Sequence, residues 1–300
     1  MDTQKTLIMD WIQGNKFKEL ANWAYAPKVK QYAKDDYDNL KNTLDLSLLK
    51  DGDIIYTHMM YASLLLNIMA HLDKKFILIT HSCDYSVEDF GMIRPDGNGK
   101  VAQKVYFGLP ENLIKWYTKN VNTVNPKIES IPIGLENDWW CVKVHKKEKM
   151  IEKLNEPKNY KNLVYMNFKI GTNPEKRQPV YDLLKDKSWV TTRMGSNGVN
   201  FDNYIDNIYN HKFVVCPEGN GIDTHRLWET LYMGSIPIVK CDNENCFFYE
   251  DLPILIVDEW EELTEDWLDL THTIYSQKIW NVEKLTFEYW KNKILKNGSN

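Results

Sequence analysis

Polar side chains and glycines crowd one short stretch of an otherwise apolar part of the chain. The stretch contains Glu218, Gly219, Asn220, Gly221, Asp223, Thr224, Arg226 and Glu229. Glycines let a backbone approach a ligand closely, and arginine is a permanently charged donor that matches phosphate oxygens. This combination predicts phosphate binding, with a carboxylate to accept the hydroxyls of a ribose. The alternative is an ordinary turn followed by a surface ion pair between Arg226 and Glu229, which lie three positions apart.

The elements around this stretch predict how it is positioned. Phe213–Cys216 and Ile236–Val239 are short apolar runs that are typical of buried strands. Between them, Asp223 or Thr224 can cap a helix, and Gly234 can end that helix in the left-handed conformation. The strand-helix-strand order implies a parallel sheet. The N-terminus of the helix then offers free N–H groups to an anion at the carboxyl end of a strand.

A second loop with basic residues follows the strand predicted at Leu163–Asn167. It carries Lys169 and Arg177, at the edge of a parallel sheet where loops usually meet ligands. Both side chains are candidates for phosphate binding. The alternative is a solvated loop whose charges are incidental.

The run from Cys216 to Val239 reads C-P-E-G-N-G-x-D-T-H-R-L-W-E-x-L-x-x-G-x-I-P-I-V. It resembles the donor-site signature of the exostosin-like glycosyltransferases, and weaker similarity extends to residues 76–86 and 130–138. The resemblance implies a GT-B fold, in which two Rossmann-like α/β domains face a cleft and C-terminal helices brace back. It also implies a nucleotide sugar on the C-terminal domain, with Arg226 on the diphosphate and Glu229 on the ribose, and an acceptor on the N-terminal domain.

Transfer of a sugar to a hydroxyl with inversion needs a base. Asp84 and His81 follow the apolar strand predicted at Phe76–Thr80, so we expect them across the cleft from the nucleotide. Asp84 can act directly, or His81 can act with a carboxylate to orient it. His58, after the preceding strand, is a third candidate and a candidate for acceptor binding. Alternatively, these histidines make only local hydrogen bonds and neither Asp84 nor His81 is the base.

A further polar group follows the strand predicted at Ile128–Ile133. Glu136, Asn137 and Asp138 lie there, and they are candidates for acceptor binding. The alternative is that they only cap a turn.

No metal or other cofactor is expected. Asp51-Gly52-Asp53 precedes its strand, so a tight turn explains it better than a metal-binding Asp-x-Asp pair. Charge on the departing diphosphate is then expected to be met by Arg226, Arg177 and the helix dipole, without metal. The five cysteines are odd in number and show no metal-binding spacing, which predicts a reducing compartment and no disulfide scaffold.

Length and patterning predict two domains and a helical tail. The chain has 300 residues, which exceeds the usual size of a single core. We expect an acceptor-side domain at 1–145, a nucleotide-sugar domain at 160–258 and C-terminal helices at 259–300. The charged segment 141–161 is the predicted linker.

Apolar patterning also predicts the elements of each half. In the first half the predicted elements are strands at Asp53–Tyr56, Phe76–Thr80 and Ile128–Ile133, and helices at Tyr61–His71 and Pro110–Asn120. In the second half, beside the elements already described, they are helices at Gln178–Lys185 and Asp202–Asn210 and a strand at Trp189–Thr192.

Charge and hydropathy narrow the class of protein. The net charge of −5 and the pI near 5.9 argue against a general nucleic-acid binder. The chain begins without a long apolar segment or a signal pattern, which favours a cytoplasmic enzyme without an integral membrane segment. Together with these limits, the resemblance implies an inverting glycosyltransferase of glycan or polysaccharide synthesis. The alternative is a catalytically silent, carbohydrate-binding relative; an NAD enzyme is disfavoured because no G-x-G-x-x-G follows a strand.

Overall fold

Short apolar runs form the strands of this protein, and the segments between them form its helices. A computed structural model describes residues 3–26, 42–88, 91–95, 101–106, 108–137, 146–193 and 201–298. The strands are β1 (Trp23–Tyr25), β2 (Asp53–His58), β3 (Phe76–His81), β4 (Ser86–Glu88), β5 (Gly91–Pro95), β6 (Val101–Tyr106), β7 (Leu113–Thr118), β8 (Ile128–Ser130), β9 (Asn162–Met166), β10 (Val190–Thr192), β11 (His211–Val215), β12 (Ile236–Lys240) and β13 (Leu255–Val257).

The helices lie mostly between the strands and cover the faces of the sheets. They are α1 (Thr3–Met9), α2 (Gly14–Glu19), α3 (Ala62–Met69), α4 (Lys146–Lys153), α5 (Pro174–Leu184), α6 (Phe201–Asn210), α7 (His225–Tyr232), α8 (Glu265–Gln277) and α9 (Phe287–Gly298). Within the described ranges, no helix has the length and apolar character needed to cross a bilayer.

The first sheet has the order β1-β2-β3-β7-β8, and all of its strand pairs are parallel. Every residue of β3 is buried, as expected for a parallel strand that is covered on both faces. Strands β2 and β3 end in register, with His58 opposite His81. The polar residues that follow these strands therefore lie at one edge of the sheet. Strands β4, β5 and β6 form a separate antiparallel sheet.

The second sheet has the order β10-β9-β11-β12-β13 and is also parallel throughout. The predicted unit β11-α7-β12 is confirmed, with Phe213 opposite Ile236. Thr224 is the N-cap residue of α7, and Gly234 follows the helix with a φ of 70°. The elements predicted earlier in this half match β9, α5, β10 and α6. The fold is thus mixed α/β with two five-stranded parallel sheets, consistent with two Rossmann-like halves.

One predicted helix, Pro110–Asn120, is wrong, because this segment contains strand β7. The apolar side chains of Leu113, Trp116 and Tyr117 have the spacing of a helix face, but all three are buried in a strand. β7 pairs with β3 on one side and β8 on the other. A strand that is buried on both faces lacks the alternation of apolar and polar residues that identifies a strand in sequence. The spacing of apolar residues therefore predicted a helix here.

The two halves share a hydrophobic core. A single cluster of buried side chains includes Ile79 and Tyr117 from the first sheet, and Tyr165 and Val214 from the second. In such an arrangement the relative position of the two sheets is fixed by packing, because the shared side chains are close-packed.

Both ends of the described chain cross between the halves. After α1, the Ile12 N–H donates to the Tyr232 hydroxyl at the end of α7, at 2.9 Å. The last helix, α9, packs on β3 and β7, where the Tyr117 hydroxyl donates to the Lys293 carbonyl at 3.4 Å. The last helix of the chain thus lies against the first sheet.

The segment predicted as a linker belongs in part to the second half. Residues 141–145 lie outside the described residues, but α4 follows them and packs on α6. Lys153 forms an ion pair with Asp206 of α6 at 2.8 Å, and Lys149 pairs with Asp202. The lysines of this run thus hold a helix onto the second half.

The cysteines correct one expectation. Cys241 and Cys246, directly after β12, form a disulfide, whereas Cys83 and Cys216 are free. The disulfide closes a short loop. Neither the odd number of cysteines nor any motif in the sequence indicated that this bond would form. Cys216 is buried at the end of β11, and burial raises the pKa of its thiol to about 12, which keeps it unreactive.

Candidate functional site

A cleft of about 560 Å³ lies between the carboxyl-terminal edges of the two parallel sheets, where open α/β sheets bind their ligands. The first half contributes Gly14, His81, Asp84, Lys119, Glu136 and Asn137 to its wall. The second half contributes Gly219, Asn220, Gly221, Asp223, Thr224 and His225. Candidate residues that the sequence predicted in both halves therefore meet in one cleft.

Asp223 links the two halves through hydrogen bonds, so its oxygens are already used by donors of the protein. It is buried, and its carboxylate accepts hydrogen bonds from the Ile133 N–H at 2.8 Å and from Trp228 Nε1 at 2.9 Å. Its own N–H donates to Asn120 Oδ1 at 2.9 Å. Position 221 must be glycine, because a Cβ there would lie 2.6 Å from Asn120 Nδ2. The loop before α7 is thus pinned onto the first half.

Asp84 and Lys119 form the most polar part of the first wall. The Lys119 ammonium lies 4.0 Å from Asp84 Oδ1, with the lysine side chain 5% exposed and the aspartate side chain 48% exposed. Asp84 is thus open to a ligand in the cleft, as its proposed role as a base requires. Lys119 was missed in sequence because the strand that it follows, β7, was predicted as a helix.

His81 lines the cleft, but its ring is buried and contacts the backbone of the first half. Its Nε2 lies 3.2 Å from the Pro132 carbonyl, so Nε2 carries the proton. Nδ1 is buried without a partner among the described residues, and a Cβ on Gly14 would lie 2.6 Å from it. Burial, and then the charge of Lys119, lower the pKa of His81 well below its usual value. His81 therefore stays neutral, and Gly14 covers its free nitrogen.

His58 is placed away from the cleft lining. Its Nε2 lies 3.1 Å from the Ser82 carbonyl, and its Nδ1 accepts a hydrogen bond from the Met60 N–H at 3.3 Å. Burial lowers its pKa. Both ring nitrogens thus have local partners, as the alternative interpretation of the sequence expected.

Glu136 and His225 join the two walls of the cleft. His225 Nε2 lies 3.3 Å from Glu136 Oε2, and His225 Nδ1 lies 2.7 Å from the Gly134 carbonyl. Burial lowers the pKa of His225, and the carboxylate of Glu136 opposes this effect. His225 was visible in sequence within the polar stretch, but nothing there indicated its partner on the first half.

Asn137 holds the N-terminal segment against the cleft. Its Oδ1 accepts a hydrogen bond from the Asn15 N–H at 3.0 Å, and both Asn137 and Gly14 line the cleft. This contact brings the start of α2 to the site, which the sequence did not predict. Asp138 lies outside the described residues.

Replacing Gly134 by alanine is expected to lower the free energy of unfolding by about 2 to 4 kcal/mol. Gly134 has a φ of 66°, and a Cβ there would lie 2.3 Å from the Ile12 carbonyl oxygen. Urea unfolding measures the change. Gly108→Ala is the matched control, because no atom of the other described residues lies within 4 Å of the new Cβ. Equal stability of the two variants would contradict the explanation.

Arg177 and Arg226 form a pair of like charges at the edge of the second sheet. Their guanidinium groups lie 5.7 and 5.9 Å from the centroid of the same ring, Phe168. Arg177 donates to the carbonyls of Glu218 at 2.7 Å and Lys169 at 2.8 Å. Arg226 Nε is buried and has no partner in the part of the chain that the structure describes. Burial and then the repulsion from Arg226 lower the pKa of Arg177 to about 10. Neither guanidinium has a carboxylate partner among the described residues.

Arg177 adjoins the cleft through Gly219, although neither arginine is among the residues that line the cleft. Arg177 Nη2 lies 3.1 Å from the position that a Cβ on Gly219 would take, and Gly219 lines the cleft. Thr224 and His225, also in the lining, begin α7, whose first N–H groups carry the positive end of the helix dipole. Asn220, beside them, has a buried Oδ1 without a partner among the described residues. The second wall is thus suited to an anion.

Glu229 and Lys169 lie apart from the cleft lining. Glu229 is buried, accepts a hydrogen bond from the Tyr204 hydroxyl at 2.6 Å and forms an ion pair with Lys146. Burial acts to raise the pKa of Glu229, but Lys146 and Tyr204 outweigh it and hold the pKa below its usual value. Its partners are therefore Lys146 and Tyr204, not Arg226. Lys169 is exposed.

Glu218 makes stability depend on pH. Burial raises the pKa of its carboxyl from 4.5 to about 7, with Lys176 opposing. Because the folded pKa is the higher one, the stabilising contribution is complete below pH 4.5 and is lost as the pH rises through 7. We expect this group to lower the free energy of unfolding by about 2 kcal/mol across that range.

Urea unfolding at pH values on either side of this range tests the role of Glu218. Glu218→Gln is expected to lose that part of the pH dependence, because it keeps the shape and loses the ionisable group. Glu175→Gln, which changes an exposed carboxylate, is the control and is expected to keep it. If the free energy of unfolding of Glu218→Gln changed with pH as much as that of the unchanged protein, other groups would cause the pH dependence.

Comparisons with known proteins leave the family open. No family model matches the chain, and no curated protein matches it. Among solved structures, the chain is similar to one described as "Crystal structure of GtfA/B complex", with 10% identity and a TM-score of 0.35. The match covers 83% of this chain and 55% of that chain, so this chain spans about half the length of its structural neighbour. A likeness this distant does not identify a family or an activity.

Proposed function

We propose that this protein is a glycosyltransferase of GT-B type, related to the exostosin-like enzymes. It transfers a sugar from a nucleotide-sugar donor to an acceptor hydroxyl, with inversion and without metal, in glycan or polysaccharide synthesis. The observation that carries the proposal is the arginine pair beside the cleft. Two guanidinium groups without a carboxylate partner, next to a helix N-terminus, suit a diphosphate.

The use of arginine in this chain supports the same conclusion. The sequence contains only four arginines beside 33 lysines. Three of the four, Arg177, Arg193 and Arg226, lie at the carboxyl-terminal edge of the second sheet. Arg226 and Arg193 both act on the pKa of Tyr165 in β9. Arginine is the side chain that recognises phosphate oxygens in a bidentate way, so its concentration at one edge favours a phosphate ligand there.

The proposed reaction uses the two walls of the cleft in different ways. The second wall holds the donor through Arg177, Arg226 and the N-terminus of α7, with the loop from Glu218 to Thr224 around it. On the first wall Asp84 takes the proton of the acceptor hydroxyl, and Glu136 and Asn137 contact the acceptor. The hydroxyl oxygen attacks the anomeric carbon from the face opposite the diphosphate, which inverts the configuration. Positive charge from the arginines and the helix dipole stabilises the leaving group in place of a metal.

A transfer assay tests the proposal. The protein is incubated with a panel of UDP-, GDP-, CMP- and dTDP-sugars and a mixture of oligosaccharides, and products are read by mass spectrometry. One donor is expected to release its nucleotide and to add one sugar mass to an acceptor. Binding of oligosaccharides without any transfer would favour the alternative, a catalytically silent, carbohydrate-binding relative.

A further inference from the structure

Lys119 is a buried cation that lacks hydrogen-bond acceptors. It directly follows β7, is 4% exposed and lines the cleft. Within the described part of the chain its ammonium donates no hydrogen bond, and its nearest carboxylate oxygen is Asp84 Oδ1 at 4.0 Å. Burying an ammonium is costly unless acceptors replace water. A pair at this distance with a half-exposed carboxylate offsets little of that cost.

Among the described residues, no side chain accepts a hydrogen bond from the Lys119 ammonium. The charge of Lys119 acts to lower the pKa of Asp223, whereas burial raises this pKa and has the larger effect. However, the oxygens of Asp223 already accept from Ile133, Trp228 and Tyr249. The ring of His81 contacts the Pro132 carbonyl through Nε2, and Gly14 covers its other nitrogen, Nδ1. The cleft that Lys119 lines is therefore where a ligand can supply acceptors for the ammonium.

The backbone next to Lys119 ties it to the wall that binds the donor. Asn120 has a left-handed φ of 56°, and its side chain accepts from the Asp223 N–H and approaches Gly221 closely. The charge of Lys119 also acts on His225, the first residue of α7. The ammonium and the N-terminus of α7 thus act on the same part of the cleft from opposite walls.

We propose that Lys119 binds the terminal phosphate of the departing nucleoside diphosphate, an inference that rests on the proposed function. When the bond between the anomeric carbon and the phosphate oxygen breaks, its electron pair stays on that oxygen. Lys119 donates a charge-assisted hydrogen bond to it. The acceptor oxygen forms the new bond to the anomeric carbon, and its proton passes to Asp84. The first sheet thereby completes an anion site whose arginines come from the second.

Calorimetry with nucleotides tests this assignment, because only a diphosphate reaches Lys119. The probes are UDP, GDP, CDP and dTDP and the four matching monophosphates. Lys119→Met is expected to weaken binding of the diphosphate at least tenfold and to leave binding of the monophosphate unchanged. Lys119→Arg, which keeps the charge, is expected to retain most of the preference for diphosphate.

Lys115→Met is the matched control for this experiment. Lys115 lies on the same strand, outside the cleft, and pairs with Glu129 at 3.3 Å, so this variant is expected to bind both nucleotides as before. Lys119→Met is expected to fold, because it removes a buried charge without hydrogen-bond partners.

Four results would overturn the inference. An unchanged ratio of diphosphate to monophosphate affinity in Lys119→Met would remove Lys119 from the phosphate site while leaving the proposed function intact. An equal loss of both affinities, or a loss in Lys119→Arg as large as in Lys119→Met, would show a structural role. No nucleotide binding by the unchanged protein would overturn the proposed function, and this inference with it.

Discussion

Replacing Asp84 by asparagine is expected to lower the rate of sugar transfer by about 10²- to 10⁴-fold, the usual contribution of a positioned base. Asp84 is the half-exposed carboxylate of the first wall, and asparagine has nearly the same shape but cannot take a proton. Nucleotide binding is expected to be retained, because the cations proposed to bind the diphosphate, Lys119, Arg177 and Arg226, are unchanged. Release of nucleoside diphosphate and calorimetry measure the two quantities separately.

The control for this prediction is Asp73→Asn. Asp73 is exposed and precedes β3, so it lies at the opposite end of the strand from the cleft. Its variant is expected to transfer sugar at the unchanged rate. If Asp84→Asn kept more than a tenth of the activity, the base would have to be another group, and Glu136 would be the next carboxylate of the cleft to test.

Replacing Arg226 by alanine is expected to weaken binding of the nucleoside diphosphate by about 2 kcal/mol or more, roughly 30-fold. The guanidinium lies over Phe168 beside Arg177, and its Nε is buried with no partner within the described ranges. A bound diphosphate supplies acceptors to this guanidinium. The variant lacks the guanidinium, so these charge-assisted hydrogen bonds are lost. Isothermal calorimetry measures the difference.

Two further variants make the Arg226 result specific. Arg226→Lys keeps the charge but loses the bidentate fork, so we expect an intermediate affinity. Lys212→Ala removes an exposed cation of β11 that pairs with Asp269 at 2.6 Å, and it is expected to bind as the unchanged protein does. Unchanged donor affinity in Arg226→Ala would rule out the arginine pair as the diphosphate site.

The parts of the fold that follow from local pattern were predictable from sequence. The unit β11-α7-β12 was predicted because two short apolar runs flank a helix with a cap residue, Thr224, and a left-handed terminator, Gly234. The candidates Asp84, Glu136 and Asn137 were found by the same reasoning, since residues that follow parallel strands share one edge of a sheet. The structure brings all three into the cleft.

The remaining features depend on partners that are distant in sequence. β7 is a strand because β3 and β8 pair with it, and the wrong prediction there also hid Lys119. Asp223 is occupied by Ile133, 90 positions away, and Glu229 by Lys146. A polar residue in a motif looks equally suited to a ligand or to such a partner, because sequence does not show which oxygens are already used.

The central claim is that the cleft binds a nucleoside diphosphate without metal. Thermal unfolding with UDP, GDP, CMP and TDP, each with and without EDTA, tests it most directly, because a ligand at 100 times its Kd stabilises a protein by about 2.7 kcal/mol. We expect one nucleotide to raise the Tm selectively, EDTA to leave the rise unchanged and Arg226→Ala to lose it. No rise with any nucleotide, or a rise that EDTA abolishes, would contradict the account.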